Sequence, residues 1–372
     1  MNFGLTETQE MIRGSAREFL LENSSPETIR SIGDGDQDAI STLWQAFVDL
    51  GWPALIIAEE YGGTGLGFTD LAVLLEEIGA NLAPTPLVES SISSWVIGRY
   101  GSKYIKSEFL PKVASGEILI TPALVERDAS WDPKTTKAAA IKSNSNLIIS
   151  GEKRFVSFAE NATHALTLVR MQHGDLAMVV APIWKMPEVE QTRLKHASGV
   201  PVSSIKFNEF EVSDLNVIAI NDQAIQAAYE LISAGSVARS AQLVGIGRKV
   251  VDTTVEYTTN REQFGRPVAS FQAIQHHLAE MAIATKQTRH LTYAAACSFS
   301  SDGYSPEAAA RAKIAASDKI AKVCWTAHQC HGAIGFTWEH DLHLYTRRAL
   351  AWKTDYGDPV FHQSLLANLM GF

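Results

Sequence analysis

Two segments in the last third of the chain decide its fold: Arg261-Glu262-Gln263-Phe264-Gly265-Arg266-Pro267 and Gln329-Cys330-His331-Gly332-Ala333-Ile334-Gly335-Phe336-Thr337. Each follows a long stretch with helical periodicity. A guanidinium suits a phosphate, an aromatic ring suits a heterocycle, and glycine lets the backbone approach a ligand closely. Together the two segments favour a flavin nucleotide site at the ends of helices.

Long helices surround both segments. Stripes of apolar and small residues predict one helix from about Ala224 to Asn260 and a second through Ile274 to Ala295. Ser305-Pro306-Glu307 is a strong helix start, and the helix it begins extends through Ala327. A fourth helix is predicted to begin at Asp358-Pro359. Because alanine-rich faces permit close antiparallel packing, we predict a C-terminal four-helix bundle.

Before about residue 220, the periodicity of the apolar residues changes once, from a helical to a β pattern. Leu71, Leu74, Leu75 and Ile78 share one helical face, with Asp70 as the expected cap, whereas short β-rich runs separated by turn residues fill the region from about 116 to 220. We therefore predict an α+β multidomain protein. Its predicted parts are an N-terminal helical domain (1–112), a middle β-barrel-like domain (113–222) and the C-terminal helical bundle (223–372).

Composition narrows the functional class. The 372 residues are 46% hydrophobic and 20% charged, which is typical of a globular protein, and the formal net charge is -9. This charge argues against nucleic acid and anionic membrane surfaces as partners, although it permits a local basic pocket. The three cysteines have no metal-type spacing, and the start of the chain has no apolar leader. We expect a cytoplasmic protein without disulfides or membrane insertion.

The paired segments resemble the acyl-CoA dehydrogenases, whose C-terminal bundle carries Arg-x-x-Phe-Gly-x-Pro, then Phe-Gln, then Gln-x-His-Gly-x-x-Gly-Phe/Tyr-Thr. The chain matches all three, with Phe271-Gln272 as the middle one. The resemblance extends into the first domain, through Glu59-Glu60-Tyr61-Gly62-Gly63-Thr64-Gly65-Leu66 and Glu76-Glu77-Ile78-Gly79. It implies the fold predicted above and FAD as the cofactor.

Residue by residue, the resemblance assigns FAD contacts at a subunit interface. In the family these positions contact the flavin of the neighbouring subunit, so an oligomer is implied, either a homo- or a hetero-tetramer. The positions in this chain are Arg261, Phe264, Gln272, Gln329 and Gly332.

The middle-domain motifs of the family are altered. Thr-Glu-Pro-Gly-x-Gly-Ser-Asp aligns approximately with residues 123–130, which keep only Glu126 and a nearby serine. Lys-x-Trp-Ile-Thr/Ser aligns with residues 153–157, so Phe155 replaces the tryptophan and Ser157 supplies the hydroxyl. We expect Phe155 to cover one face of the isoalloxazine and Ser157 to hydrogen-bond near flavin N5.

The main departure from the family pattern is at the catalytic base. The family takes the α-proton of an acyl thioester with the glutamate of Tyr-Glu-Gly, but here Tyr356 stands at that position, and the alternative family position aligns with Gly235. Asp355 serves as the base if the loop shifts by one residue, and Glu230 if the helix shifts; otherwise the chain has no base. The CoA-binding arginine expected after the alternative position is absent, and Arg239, one turn along, is its candidate substitute.

The resemblance implies α,β-dehydrogenation of an acyl-CoA thioester, with electrons passed to electron-transfer flavoprotein. An alternative is a catalytically silent subunit that completes the FAD site of a heteromeric enzyme. The run from Trp338 to Tyr345 and the Gly357-Asp358-Pro359 end resemble such heteromeric members, often specific for steroid or other bulky acyl groups. A weaker alternative is a flavin oxidase or monooxygenase on the same fold. No metal site is expected from His340, Asp341 and His343.

Overall fold

The computed structural model describes residues 4–300 and 303–372. Six helices form the N-terminal part, and their starts follow local signals. The side chain of Thr6 accepts the backbone N–H of Gln9, and Ser25 caps a helix whose first residue is Pro26. The helices are α1 (Glu7–Asn23), α2 (Pro26–Asp34), α3 (Gln37–Asp49), α4 (Phe68–Ala80), α5 (Leu87–Tyr100) and α6 (Lys103–Ala114).

Helix α4 carries the apolar face predicted from the sequence, because Leu71, Leu74, Leu75 and Ile78 are all buried. Asp70 acts differently from the prediction. It lies at the third helical position, and its Oδ2 accepts the N–H of Gly67, the N-cap residue, at 2.8 Å. The carboxylate still neutralises a free backbone donor at the helix start, but from inside the first turn.

The middle part is a mixed β-sheet. The strands are β1 (Ile120–Ala123), β2 (Ala139–Ser143), β3 (Asn146–Ser157), β4 (His164–Met171), β5 (Leu176–Pro182), β6 (Val189–Leu194), β7 (Val202–Ser213) and β8 (Val217–Ile220). Their hydrogen-bonded order is β6-β7-β3-β2-β4-β5-β8, and β1 pairs with β4 in parallel. Two irregularities interrupt the pairing of β3 with β7, one of them between Lys153 and Val156.

The C-terminal part is helical, and the four predicted helices are present. A two-stranded hairpin joins the first two, and a π-helical turn at Ala316–Ile320 joins the two halves of the third. The sequence prediction did not include α11. The elements are α7 (Asn221–Asn260), β9 (Glu262–Gln263), β10 (Arg266–Pro267), α8 (Gln272–Cys297), α9 (Pro306–Ala315), α10 (Ala321–His331), α11 (Leu342–Trp352) and α12 (Pro359–Leu369).

Helix α7 is held against α4 at very short range. A Cβ added to Gly245 would lie 1.9 Å from the Glu76 carbonyl oxygen, so only glycine permits this approach. Beside it, Arg248 binds both Glu76 and Glu77. Burial alone would raise the pKa of Glu77, but Arg248 and Arg17 hold it below its usual value. The Glu76-Glu77 motif therefore fixes the helix that carries the site.

Among the helices of the described ranges, none is both long and apolar enough to cross a bilayer. The three cysteines are free thiols, and Cys324 and Cys330 are buried.

Candidate active site

The loop after α11 carries Asp355 and Tyr356, and the two side chains have different surroundings. Asp355 lines a cavity, and its Oδ2 accepts a hydrogen bond from Arg239 Nε at 2.7 Å. Its Oδ1 has no protein partner in the described part of the chain. Tyr356 is only 4% exposed. Asp355 therefore keeps one oxygen available to a ligand, whereas Tyr356 is a core residue.

Tyr356 packs directly on the backbone of α7 at Gly235. A Cβ added to Gly235 would lie 2.3 Å from Cδ1 of the tyrosine ring, which is far inside van der Waals contact. The two positions that the resemblance assigns to a catalytic glutamate are thus neighbours in space. An aromatic ring and a glycine fill them, so neither supplies a carboxylate.

Arg239 is buried beneath this loop, and its donors are in use. It pairs with Glu89 and with Asp355, and donates to Gln242 Oε1 at 2.7 Å. Burial would lower the pKa of Arg239, but Glu89 and Asp355 hold it above the ordinary arginine value. Burial also raises the pKa of Glu89, against the opposing effect of Arg239. The prediction that Arg239 replaces a CoA-binding arginine is therefore wrong, because its guanidinium is enclosed and each of its three nitrogens already bonds to a protein side chain.

Glu230 lies elsewhere on α7, in contact with α5. Its carboxylate accepts hydrogen bonds from Trp95 Nε1 at 2.7 Å and from the Tyr100 hydroxyl at 2.8 Å, and it pairs with Arg99 at 2.6 Å. It does not line the cavity at Asp355. The structure contradicts the alternative that makes Glu230 the base, because its carboxylate is bonded to three side chains of α5 and links that helix to α7.

Phe155 projects from an irregular point of β3. The register of β3 against β7 shifts between Lys153 and Val156, and Phe155 takes a φ of +56°. Its ring is 48% exposed and lines the cavity together with Ser157. The irregularity presents an aromatic face to the cavity at the end of the strand, as a ring-stacking role requires.

Glu126 of the altered middle-domain motif has a structural role. Its carboxylate accepts the backbone N–H groups of Lys137 and Ala138 and pairs with Lys153 Nζ at 2.8 Å. Lys153 is fully buried, and burial lowers its pKa while Glu126 opposes that effect. Glu126 therefore anchors the loop that leads to Ala129 at the cavity wall.

These segments enclose a cavity of about 300 Å³ between the β-sheet and the loop after α11. It brings together Phe155, Ser157 and Asp355, the three predicted residues of this chain's own site. Sequence reasoning missed Trp131 and His196, which also line it. Trp131 could have been found, because it directly follows the altered motif at residues 123–130. His196 lies in a loop between strands, and no sequence pattern marks it.

The other predicted flavin contacts lie away from this cavity, and none of them lines it. Phe264 is 91% exposed. Gly332 ends α10 with a φ of +67°, and a Cβ placed there would meet no atom within 4 Å. Arg261 follows the last residue of α7, Gln272 begins α8, and Gln329 lines a separate surface cleft. All five residues are exposed, and none of them belongs to the chain's own cavity.

Three aromatic residues at the predicted sites share a strained backbone. Phe155, Phe264 and Tyr356 have φ values of +56°, +55° and +54°. This region is unfavourable for bulky side chains, at a cost of about 1–3 kcal/mol each, and residues held there cluster at functional sites. Each of the three motifs therefore contains one aromatic ring that the fold holds in an unfavourable backbone conformation.

His331 is a packed residue rather than an acid or base. Its Nδ1 is 2.8 Å from the Ala327 carbonyl oxygen, and its ring stacks on Tyr257 with centroids 4.4 Å apart. Within residues 4–300 and 303–372, no group of three or more His, Cys, Asp or Glu side chains is placed to hold a metal ion.

Comparison with known sequences now assigns the family. Residues 6–117 match the family profile described as "Acyl-CoA dehydrogenase, N-terminal domain", and residues 225–357 match "Acyl-CoA dehydrogenase, C-terminal domain". The chain belongs to the acyl-CoA dehydrogenase family. Among its relatives, acyl-CoA dehydrogenase IpdE2 of Mycolicibacterium smegmatis is 27% identical over 346 residues, covering 93% of each chain.

Solved structures of this acyl-CoA dehydrogenase fold superpose over nearly the whole chain. A variant of the Tcur3481-Tcur3483 steroid ACAD has a TM-score of 0.88 at 25% identity, covering 98% of each chain. PigA with FAD and proline has a TM-score of 0.91 at 20% identity, covering 100% of this chain and 99% of PigA. The predicted fold is confirmed.

FAD is the cofactor of this family, and the site residues fit it. The cavity at Asp355 offers an exposed aromatic face at Phe155 with the Ser157 hydroxyl nearby. The exposed residues offer the Arg261 guanidinium, the Phe264 ring and the unobstructed backbone at Gly332, where an added Cβ would project into free space. An aromatic face suits the flavin ring, and a guanidinium with open backbone suits the nucleotide phosphates.

Proposed function

We propose that this chain is a subunit of an FAD-dependent acyl-CoA dehydrogenase that oxidises an acyl-CoA thioester to its α,β-unsaturated form. The observation that supports the proposal is the division of the flavin contacts into two sets. One set lines the chain's own cavity, and the other, around Phe264, is exposed and free to serve a neighbouring subunit.

The chain's residues have separate roles in this proposal. Phe155 packs against one face of the flavin ring, and Ser157 donates a hydrogen bond to its edge. Arg261 and Gln272 bind the phosphates and adenine side of the cofactor in the adjacent subunit. When bound, FAD supplies the acceptor for the hydride that leaves the β-carbon. Electron-transfer flavoprotein would be the redox partner that receives the two electrons.

In this proposal Asp355 is the base that removes the α-proton. Its Oδ1 has no protein partner in residues 4–300 and 303–372, the residue lines the cavity, and Oδ2 accepts a hydrogen bond from Arg239. Asp355→Asn should lower the rate of flavin reduction by about 100-fold or more, the usual contribution of a positioned base. Asp358 is a matched control, because it lines the same cavity and caps α12. Asn caps helices as well as Asp does, so Asp358→Asn should change the rate only a few-fold.

A second candidate function is a catalytically silent subunit that completes the flavin site of a different, base-bearing chain. The packing of Tyr356 on Gly235 favours it, because both glutamate positions are filled without a carboxylate. This candidate requires a partner subunit. It predicts an active complex in which Asp355→Asn leaves the activity unchanged and Phe264→Ala lowers it.

One set of measurements separates the candidates. The chain is purified alone, its flavin absorbance is recorded, and anaerobic bleaching is followed with a panel of straight-chain and bulky acyl-CoA thioesters. Bleaching that Asp355→Asn abolishes supports the first candidate. Absence of both flavin and bleaching, reversed by co-purification with a related chain, supports the second. Rapid reoxidation of the bleached flavin by air would indicate an oxidase instead and contradict both.

A further inference from the structure

A second cavity, of about 150 Å³, lies between α2, the loop that joins β6 to β7, and α11. By the volume that one buried water needs, it has room for roughly ten waters. Three arginines line it: Arg30, Arg347 and Arg348. In a chain whose formal net charge is -9, three guanidinium groups around one cavity are a local concentration of positive charge.

Arg348 is a buried cation that has no carboxylate partner among the residues the structure describes. It is 1% exposed, and its guanidinium donates only to backbone carbonyl oxygens, those of Ser198 and, at 3.2 Å, Leu82. Its Nη2 donates to no protein atom in the ranges described, and lies 3.7 Å from the Cβ position of Gly199 at the cavity wall. Burial, and then neighbouring arginines, lower the pKa of Arg348 to about 9, so it remains charged at neutral pH.

The other two arginines also have unused donors. Arg347 forms no hydrogen bond or ion pair with a described residue, and its guanidinium lies 5.9 Å from the centroid of the Trp338 ring. Arg30 binds Asp341 at 2.6 Å, but its Nε is buried without a partner. Asp34 also lines the cavity. Of the three guanidinium groups, only that of Arg30 forms an ion pair with a described residue, Asp341, which does not line the cavity.

We propose that this cavity binds a phosphate group, held by Arg347 and Arg348 and bordered by Arg30. A buried cation with unsatisfied donors is costly unless an anion compensates it. Planar guanidinium groups match the oxygens of a phosphate, which accepts several charge-assisted hydrogen bonds at once.

Two sources of the phosphate group are possible, and their chemistry at the arginines is the same. His196 lines both this cavity and the one at Asp355, so the two spaces adjoin. The phosphate group therefore belongs either to a nucleotide whose ring occupies the neighbouring cavity or to a free phosphate. The inference rests on the arginines and does not depend on the proposed dehydrogenation.

The test uses inorganic phosphate and calorimetric titration at constant ionic strength, with chloride as the balancing anion. Flavin-depleted and FAD-loaded protein are compared for the wild type, Arg347→Gln and Arg30→Gln. Arg311→Gln is the control, because Arg311 is a half-exposed arginine paired with Glu307 and lies outside the cavity. We expect Arg347→Gln to weaken phosphate binding by about 10- to 100-fold, and Arg311→Gln to leave it unchanged.

The FAD-loaded protein identifies the source. If FAD prevents phosphate binding and Arg347→Gln also weakens FAD retention, the cavity holds a phosphate of the nucleotide. If phosphate binds equally well with FAD present, the cavity holds a free anion. The proposal is overturned if both arginine variants bind phosphate as tightly as the wild type, or if the wild type binds no phosphate in either form while Arg347→Gln retains FAD normally.

Discussion

Replacing Gly235 by alanine tests whether the tyrosine ring fills the two glutamate positions. The added methyl carbon would lie 2.3 Å from Cδ1 of Tyr356 and 2.4 Å from Cγ, so the ring or the helix must move. Tyr356 has little room to do so, because it is 4% exposed and packs on Trp131, with ring centroids 5.6 Å apart.

The expected change in the free energy of unfolding is the sum of two opposing effects. Alanine is favoured over glycine inside a helix by about 0.5–1 kcal/mol, and overpacking a dense core costs about 1–3 kcal/mol. Gly98 isolates the first effect, since it also lies inside a helix and an added Cβ meets nothing within 4 Å. Gly98→Ala should therefore raise the free energy of unfolding. The free energy of unfolding of Gly235→Ala should be lower than that of Gly98→Ala by the overpacking cost alone, about 1–3 kcal/mol.

The assay is urea unfolding at one fixed protein concentration, with midpoints and slopes compared among the variants. Tyr356→Ala completes a double-mutant cycle, because removing the ring should let Gly235→Ala behave like Gly98→Ala. The reasoning is refuted if Gly235→Ala is as stable as Gly98→Ala in the wild-type background. That result would mean that the ring does not occupy the space over Gly235.

Three further outcomes are expected. Arg239→Met should lower the free energy of unfolding by about 3–5 kcal/mol, because it leaves Glu89 and Asp355 without their buried counter-ion; a loss below ~1 kcal/mol would contradict the buried network. Burial lowers the pKa of Lys313 to about 7, so from pH 7 to pH 9 the unfolded chain binds a proton that the folded chain releases. As the pH rises over this range, the free energy of unfolding of the wild type should therefore increase relative to that of Lys313→Met, by up to ~1.4 kcal/mol per pH unit. If the two proteins show the same pH dependence of unfolding, this prediction is wrong. Phe264→Ala should change the unfolding free energy by less than ~0.5 kcal/mol, because the ring is 91% exposed, yet reduce bound flavin per chain; unchanged flavin content would count against an interface role.

Much of the architecture could be predicted from the chain because its signals are local. Apolar periodicity and the Ser305-Pro306 start predicted helices that the structure contains, and the altered strand motif around Phe155 led to a residue that does line the cavity. Helix α11 was missed because its buried face includes the polar residues Thr346 and Arg348, so it shows no continuous apolar stripe. The strained φ of Phe155 also depends on the pairing of β3 with β7, which no local pattern encodes.

The base could not be resolved from the sequence because the answer depends on contacts between distant segments. Counting along the chain places the two glutamate positions of the family at Gly235 and Tyr356, but only the fold shows that these residues touch. Arg239 was interpreted as a ligand for CoA, and only its burial between Glu89 and Asp355 shows that its charge is already compensated. Composition and spacing carry no information on which charges become enclosed.

The central claim is that each flavin site needs residues from two subunits, with Arg261 and Phe264 supplied by the neighbour. The most direct test is the ratio of flavin to chain measured across a dilution series in which the assembly state is recorded by light scattering. We predict that flavin is retained only by oligomers, and that Arg261→Gln with Phe264→Ala releases it from a chain that remains folded. Stoichiometric flavin on a folded monomer, or full retention by that double variant, would contradict the account.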